Sequence, residues 1–302
     1  MAIYTQHNTT LQEVKEKPFR LEKDIQKLFE ANLPNIMGLE VVKSEFIIKN
    51  KRIDTLAFDA QSKAFIIIEY KRDKNFSVID QGFAYLSLML ENKSDFILEY
   101  NETQAETLKR DGIDWSQSRV VFVSPHFTDN QVQASNFKDL PIELWEVKQY
   151  ENGVIAIHLI KKSASAESIK PITKSNKAQE EVIEQIKVYT EQDHFANGSD
   201  WTIELYERFK TAILNLSTDI EVNPKKLRIS FTKDNKIFAD IGILNKTLKI
   251  WINLKHGQLD DPKGIAKDMT SIGHWGNGDY QIQVDNDTDI EYIMSLVKQG
   301  IK

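Results

Sequence analysis

The stretch from Arg52 to Asp73, RIDTLAFDAQSKAFIIIEYKRD, constrains this chain more than any other. Two apolar runs flank a short polar turn, which is the pattern of a β-hairpin. With the turn centred on Gln61 and Ser62, Ala60 faces Lys63, Phe58 faces Phe65 and Leu56 faces Ile67. The same register sets Asp54 opposite Glu69, with Lys71 two residues further along on the same face. Directly opposed side chains have Cβ atoms about 4.5–5.5 Å apart, so two carboxylates there repel, and loss of water adds to the cost. A divalent cation offsets that cost, and hard oxygen ligands at this spacing suit Mg²⁺ or Mn²⁺. The other reading is a structural ion pair of Lys71 with Asp54 or Glu69 at a strand end. The reverse face of the hairpin, Ile53, Thr55 and Ala57 against Tyr70, Ile68 and Ile66, is free to pack on a helix.

The surrounding sequence predicts a mixed α/β domain. PFRLEKDIQKLFEANL sets Leu21, Ile25, Leu28 and Phe29 at helical spacing. SEFIIKN adds a strand before the hairpin, making a three-strand meander. SVIDQGFAYLSLMLEN reads as a helix capped by Ser77, with Asp80 at the capping-box position. RVVFVS is a further strand, TDNQVQASNF a helix, and IELWEVKQY with VIAIHLI a closing hairpin joined at ENG. A Ser- and Lys-rich stretch then predicts a linker over 163–178, dividing a domain at 1–162 from one at 179–302. The second domain reads as a smaller α+β unit, with helices AQEEVIEQIKVY and TIELYERFKTAILNL ahead of a meander and a final helix, DIEYIMSLVKQ.

Composition narrows the chemistry. The 302 residues contain no cysteine, which excludes disulfides and thiolate catalysis and leaves only oxygen or imidazole ligands for a metal. No apolar run approaches membrane-spanning length, and the N-terminal residues lack an apolar signal core, so a cytoplasmic location and no membrane partner are expected. The formal net charge of −6 excludes a strongly cationic coat but not a local basic groove. Basic residues do cluster beside the hairpin, at Lys49, Lys51 and Arg52 and at Lys71, Arg72 and Lys74.

Ile53-Asp54 followed by an apolar strand ending Glu69-Tyr70-Lys71 resembles the PD-(D/E)xK nuclease superfamily, with Ile where Pro often precedes the Asp. The preceding helix and the Gln81-Gly-Phe-Ala-Tyr85 helix resemble the branch containing archaeal single-strand and mismatch endonucleases. The resemblance covers roughly residues 17–160. It implies a restriction-endonuclease-like αβββαβ core and metal-dependent hydrolysis of phosphodiester bonds in nucleic acid, DNA rather than RNA. It also implies a site in which Asp54 and Glu69 hold Mg²⁺ or Mn²⁺ and Lys71 handles the attacking water. Glu22 would be the helix acid that completes a metal site, and Gln81 and Tyr85 would position phosphate, water or backbone. On the helical wheel Glu22 and Asp24 flank the apolar stripe almost equally, and Glu30 points away from it. Arg52, Arg72 and Lys74 are candidates for flanking phosphates. Glu45 is a further candidate carboxylate, because it lies on the same side of its strand as Ile47, which an Asn50-Lys51 turn would place opposite Asp54.

The stretch LDDPKGIAKDMTSIGHWGNGDYQI resembles an uncharacterised domain family found behind such nuclease domains or alone. Asp260, Asp261, His274 and Asp279 there match no metal-ligand spacing. Trp275 either stacks on a base or packs on the sheet. The second domain leaves target recognition, homodimerisation and regulation open. Two rivals to the nuclease therefore stand: a catalytically silent nucleic-acid-binding protein, and a regulatory or ligand-binding protein acting through the second domain.

Overall fold

The computed structural model describes residues 2–73, 76–163, 165–234, 236–271 and 277–301. The chain forms two compact units, Met1–Val188 and Tyr189–Lys302.

The first unit opens with a small hairpin, β1 (Ile3–His7) and β2 (Thr10–Val14), and continues with helix α1 (Glu22–Ile36). The antiparallel meander β3 (Glu40–Ile48), β4 (Lys51–Asp59) and β5 (Ala64–Tyr70) follows. Next come α2 (Val78–Glu91), α3 (Lys93–Thr103), β6 (Arg119–Ser124), α4 (Asp129–Ser135), β7 (Ile142–Gln149) and β8 (Ile155–Leu159). The main sheet runs β3-β4-β5-β6-β7-β8, parallel at β5-β6-β7 and antiparallel elsewhere. This is the mixed α/β core expected, with elements in the order αβββαβ.

The strand β5 sits at the centre of that sheet with every residue buried, because α1 covers one face and α2 the other. Ile25, Phe29 and Leu33 of α1 pack on Ala57, Ile66, Ile68 and Tyr70. On the opposite face Leu56, Phe58, Phe65 and Ile67 join Val78, Phe83 and Leu86 of α2. Helix α1 stops where Gly38 takes a positive φ of 67°, a conformation cheap only for glycine. At the start of α2 the Ser77 hydroxyl accepts from the Asp80 N–H at 3.2 Å, which is the cap predicted.

Two expectations fail here. Residues 163–178 are not a free linker. Helices α5 (Lys170–Thr173) and α6 (Lys177–Gln185) belong to the first unit, and Ile169, Val182, Ile183 and Ile186 are buried in the same core as α2. The break falls between Val188 and Tyr189 instead. The β3–β4 register is also two residues from the one expected: Ile47 pairs with Arg52 and Ile48 with Lys51.

The second unit comprises α7 (Glu191–Phe195), α8 (Asp200–Leu214), β9 (Glu221–Pro224), β10 (Ile229–Lys233), β11 (Lys236–Ile243), β12 (Leu248–Ile252), β13 (Lys267–Asp268), β14 (Tyr280–Val284) and α9 (Ile290–Lys298). Its antiparallel sheet runs β13-β14-β12-β11-β10-β9, and α8 and α9 bury their apolar faces against it. This is the α+β unit expected.

Candidate active site

The hairpin register is the one read from the sequence. Thr55 pairs with Ile68 and Leu56 with Ile67, and the same spacing brings Asp54 beside Glu69. Beyond the last ladder pair the two acids bracket each other. The Asp54 N–H donates to Glu69 Oε1 at 3.2 Å, and the Tyr70 N–H donates to Asp54 Oδ2 at 3.0 Å. Lys71 Nζ lies 3.3 Å from Glu69 Oε2. Backbone N–H groups that would otherwise extend the ladder are thus satisfied by carboxylates, which fixes both side chains where β4 and β5 part. Asp54 Oδ1 accepts no hydrogen bond from the described residues.

Glu69 is only 2% exposed. Burial pushes its carboxyl up to about 7, with the Asp54 charge adding and Lys71 opposing. Burial raises the Asp54 carboxyl as well, against the Tyr70 N–H and Lys71. One ammonium does not offset the loss of water for two acids, so the pair holds less negative charge than two free carboxylates would.

Helix α2 closes one side. The Tyr85 hydroxyl lies 3.5 Å from the Arg52 carbonyl and within hydrogen-bonding reach of Glu69. Burial, then the Glu69 and Asp54 charges, hold this phenol well above its usual range. Gln81, one turn earlier on the same helix, is half-buried, and its side-chain amide makes no hydrogen bond among the described residues. Asp54, Glu69, Lys71 and Tyr85 therefore come together, and Gln81 lies one turn before Tyr85 on α2.

Glu22 does not join the two acids. Its Oε1 accepts from the Arg72 N–H at 2.9 Å, just past Lys71, so it holds the end of the strand. Arg72 turns its guanidinium to the Arg20 carbonyl at 2.6 Å. Glu45 comes closer to Asp54 than its expected register allowed. The flanking pairs Ser44–Thr55 and Phe46–Ile53 set it across from Asp54. It reaches this position with a positive φ of 54°, a strained state for a residue with a Cβ. Its carboxylate is taken up by Lys23 at 2.6 Å and Arg52 at 3.0 Å, and the Lys23 hydrogen bond leads in holding it below the usual carboxylate range. Lys74, His274 and Trp275 lie outside the described residues. In the second unit Asp261 accepts from the Gly264 and Ala266 N–H groups and from the Tyr292 hydroxyl. Asp279 accepts from the His256 N–H. Those two carboxylates brace their own loops.

Glu30, read from the wheel as facing away, instead turns into the structure. Its Oε1 accepts from the Thr55 hydroxyl at 2.5 Å and from the Gln26 amide at 2.9 Å. Gln26, Thr55 and Tyr70 were not singled out from sequence. The spacing Glu22–Gln26–Glu30, four residues apart along one helix face, was the signal that could have found the first of them.

Among the described residues no three His, Asp or Glu side chains gather into a ready metal-holding cluster. Two carboxylates with one oxygen open nevertheless fit Mg²⁺, which keeps several waters and takes one or two protein carboxylates together with substrate phosphates. Among the described residues no helix is long and apolar enough to cross a membrane.

Comparison with known proteins adds the following. A Haemophilus influenzae protein, described as "Uncharacterized protein", is 56% identical over 302 residues, spanning 100% of both chains. Residues 191–301 match the family described as "Domain of unknown function (DUF5655)", which covers nearly all of the second unit. Three solved structures show partial likeness. An EndoMS–dsDNA2 complex is 15% identical with a TM-score of 0.27, over 41% of this chain and 45% of that one. A repair endonuclease from Pyrococcus abyssi is 18% identical with a TM-score of 0.23, over 40% and 44%. SfsA from Pyrococcus furiosus, in complex with Ca²⁺, is 14% identical with a TM-score of 0.25, over 49% and 75%. The chain thus spans under half the length of the first two of these structures.

Proposed function

We propose that this chain, which belongs over its full length to one family with the Haemophilus influenzae protein, is a metal-dependent nuclease of the PD-(D/E)xK kind acting on DNA. The observation that carries the reading is the mutual bracket of Asp54 and Glu69, with the Lys71 ammonium 3.3 Å from the second acid. A stable hairpin has no need of a buried and a half-buried carboxylate side by side at the point where its strands separate. Phosphodiester hydrolysis does.

Asp54 and Glu69 would hold Mg²⁺ or Mn²⁺, and the ion when bound would supply Lewis-acid polarisation of the phosphate. Lys71 orients the attacking water and places positive charge where the phosphorane becomes more negative. Glu69 keeps Lys71 in place through the 3.3 Å ion pair. Tyr85 caps the Glu69 carboxylate from α2 and limits the water that reaches it. Gln81, with its amide uncommitted, suits a phosphate oxygen or the attacking water. Glu22 acts here through the strand end that it holds. Arg52, 65% exposed at its side chain, is free to exchange Glu45 for a phosphate of the flanking strand.

The test is incubation of the purified protein with branched, single-stranded and duplex DNA, and with RNA, in Mg²⁺, Mn²⁺ or chelator. Cleavage of DNA that requires the metal is the expected result. Binding without cleavage would favour the silent nucleic-acid-binding protein. Neither binding nor cleavage at low salt would favour the regulatory reading.

A further inference from the structure

The polar face of α1 reaches the strands that carry the reacting groups from the opposite side of the sheet. Gln26 Nε2 donates to the Asp54 carbonyl at 2.7 Å and lies 3.2 Å from Ser44 Oγ and 2.9 Å from Glu30 Oε1. The Thr55 hydroxyl donates to Glu30 Oε1 at 2.5 Å and sits 3.3 Å from the Tyr70 hydroxyl. Gln26, Thr55 and Tyr70 are all buried. Glu22, four residues before Gln26, accepts from the Arg72 N–H. One helix face therefore touches the backbone of Asp54, the side chain of Thr55 next to it and, through Thr55, the Tyr70 ring between Glu69 and Lys71.

Resting on the nuclease reading, we propose that Gln26 and Glu30 are positioning residues. They form a clamp that fixes the separation of Asp54 from the Glu69–Lys71 segment. Leucine at either position would pack a helix on a sheet with fewer groups to satisfy. A buried amide and a half-buried carboxylate destabilise unless their partners are filled, so their presence calls for a use beyond packing. Geometry supplies that use. The two strands separate where the acids sit, so no ladder bond beyond Thr55–Ile68 holds their spacing. A misplacement of about 1 Å in a catalytic group lowers rate on the order of 10²-fold.

The experiment compares Gln26→Met, Glu30→Met and Glu30→Gln with wild type, well below their unfolding temperatures, on the DNA that wild type cuts. Both methionine variants are expected to lose about tenfold or more in kcat with KM near wild type. Glu30→Gln, whose Oε1 still accepts from Thr55, is expected to recover most of the rate. In the full chain, amide hydrogen exchange at Thr55 and at Tyr70–Arg72 should quicken in the methionine variants and stay slow in β6 and β7. Wild-type kcat and exchange in both methionine variants would overturn the clamp. So would a Glu30→Gln variant as slow as Glu30→Met, because charge rather than shape would then be at issue. Should wild type cut nothing, the nuclease reading fails by itself. The exchange pattern still decides the clamp: local quickening supports it, and uniform or unchanged exchange overturns it.

Discussion

Asp54→Asn is expected to lower metal-dependent cleavage by about 10³-fold or more, and Lys71→Met by about 10²–10⁴-fold, with the first unit still folded. Asparagine keeps an oxygen that can accept from the Tyr70 N–H, so the strand end survives while the negative charge is lost. Methionine keeps most of the lysine stem and removes the ammonium beside Glu69. The two losses should differ in kind. Asp54→Asn weakens metal uptake and rate together, because it deletes half of the donor pair. Lys71→Met leaves the donors in place and slows the chemical step. Rates for both variants, measured across a metal titration, check this. If either variant cuts as wild type does, the assignment of that residue is wrong.

The metal-free protein is expected to lose stability as pH rises, through Glu69. Its carboxyl titrates near 7 in the folded chain against 4.5 for an ordinary glutamate, because burial disfavours its charged form. The folded state therefore binds the proton more tightly than the unfolded state. That contribution is complete below about pH 4.5 and is lost as pH climbs through 7. A shift of this size corresponds to at most about 3 kcal/mol, shared with Asp54, whose charge adds to the rise. Glu69→Gln keeps an acceptor for the Asp54 N–H and removes the titration. Urea unfolding of metal-stripped wild type and Glu69→Gln at pH 5 and pH 8 reads the difference. Wild type should fall relative to the variant at the higher pH, and Mn²⁺ should restore it there by binding the folded state. Parallel pH profiles for the two proteins would show that Glu69 does not titrate between those values.

The sheet and the heart of the site are legible because a short polar turn at Gln61-Ser62 separates two apolar runs. That turn leaves one register for β4 and β5, and the register brings Asp54 to Glu69. The β3–β4 register is misread because the turn falls on Lys49 and Asn50, one residue before the Asn50-Lys51 turn expected. Lys49 takes a positive φ of 53° there, with no glycine or proline to announce it. The stripe Glu22–Gln26–Glu30 escapes a helical wheel, which ranks faces by apolar content: all three residues are polar, and only Gln26 is buried, with Glu30 half-buried and Glu22 exposed. The stretch expected as a linker shows the converse. It is rich in Ser and Lys, yet Ile169 within it and Val182, Ile183 and Ile186 in the helix that follows are buried in the core of the first unit. Hairpin β1–β2 went unread because its strands are largely exposed and carry no apolar face.

Calorimetric titration of Mn²⁺ into chelator-stripped protein at pH 8, wild type beside Asp54→Asn, bears most directly on the paired acids. Uptake by wild type, weakened at least tenfold or abolished in the variant, is the outcome this site requires. Heat indistinguishable from buffer dilution in wild type, or equal uptake by both proteins, would mean that the two carboxylates meet for some purpose other than holding a cation.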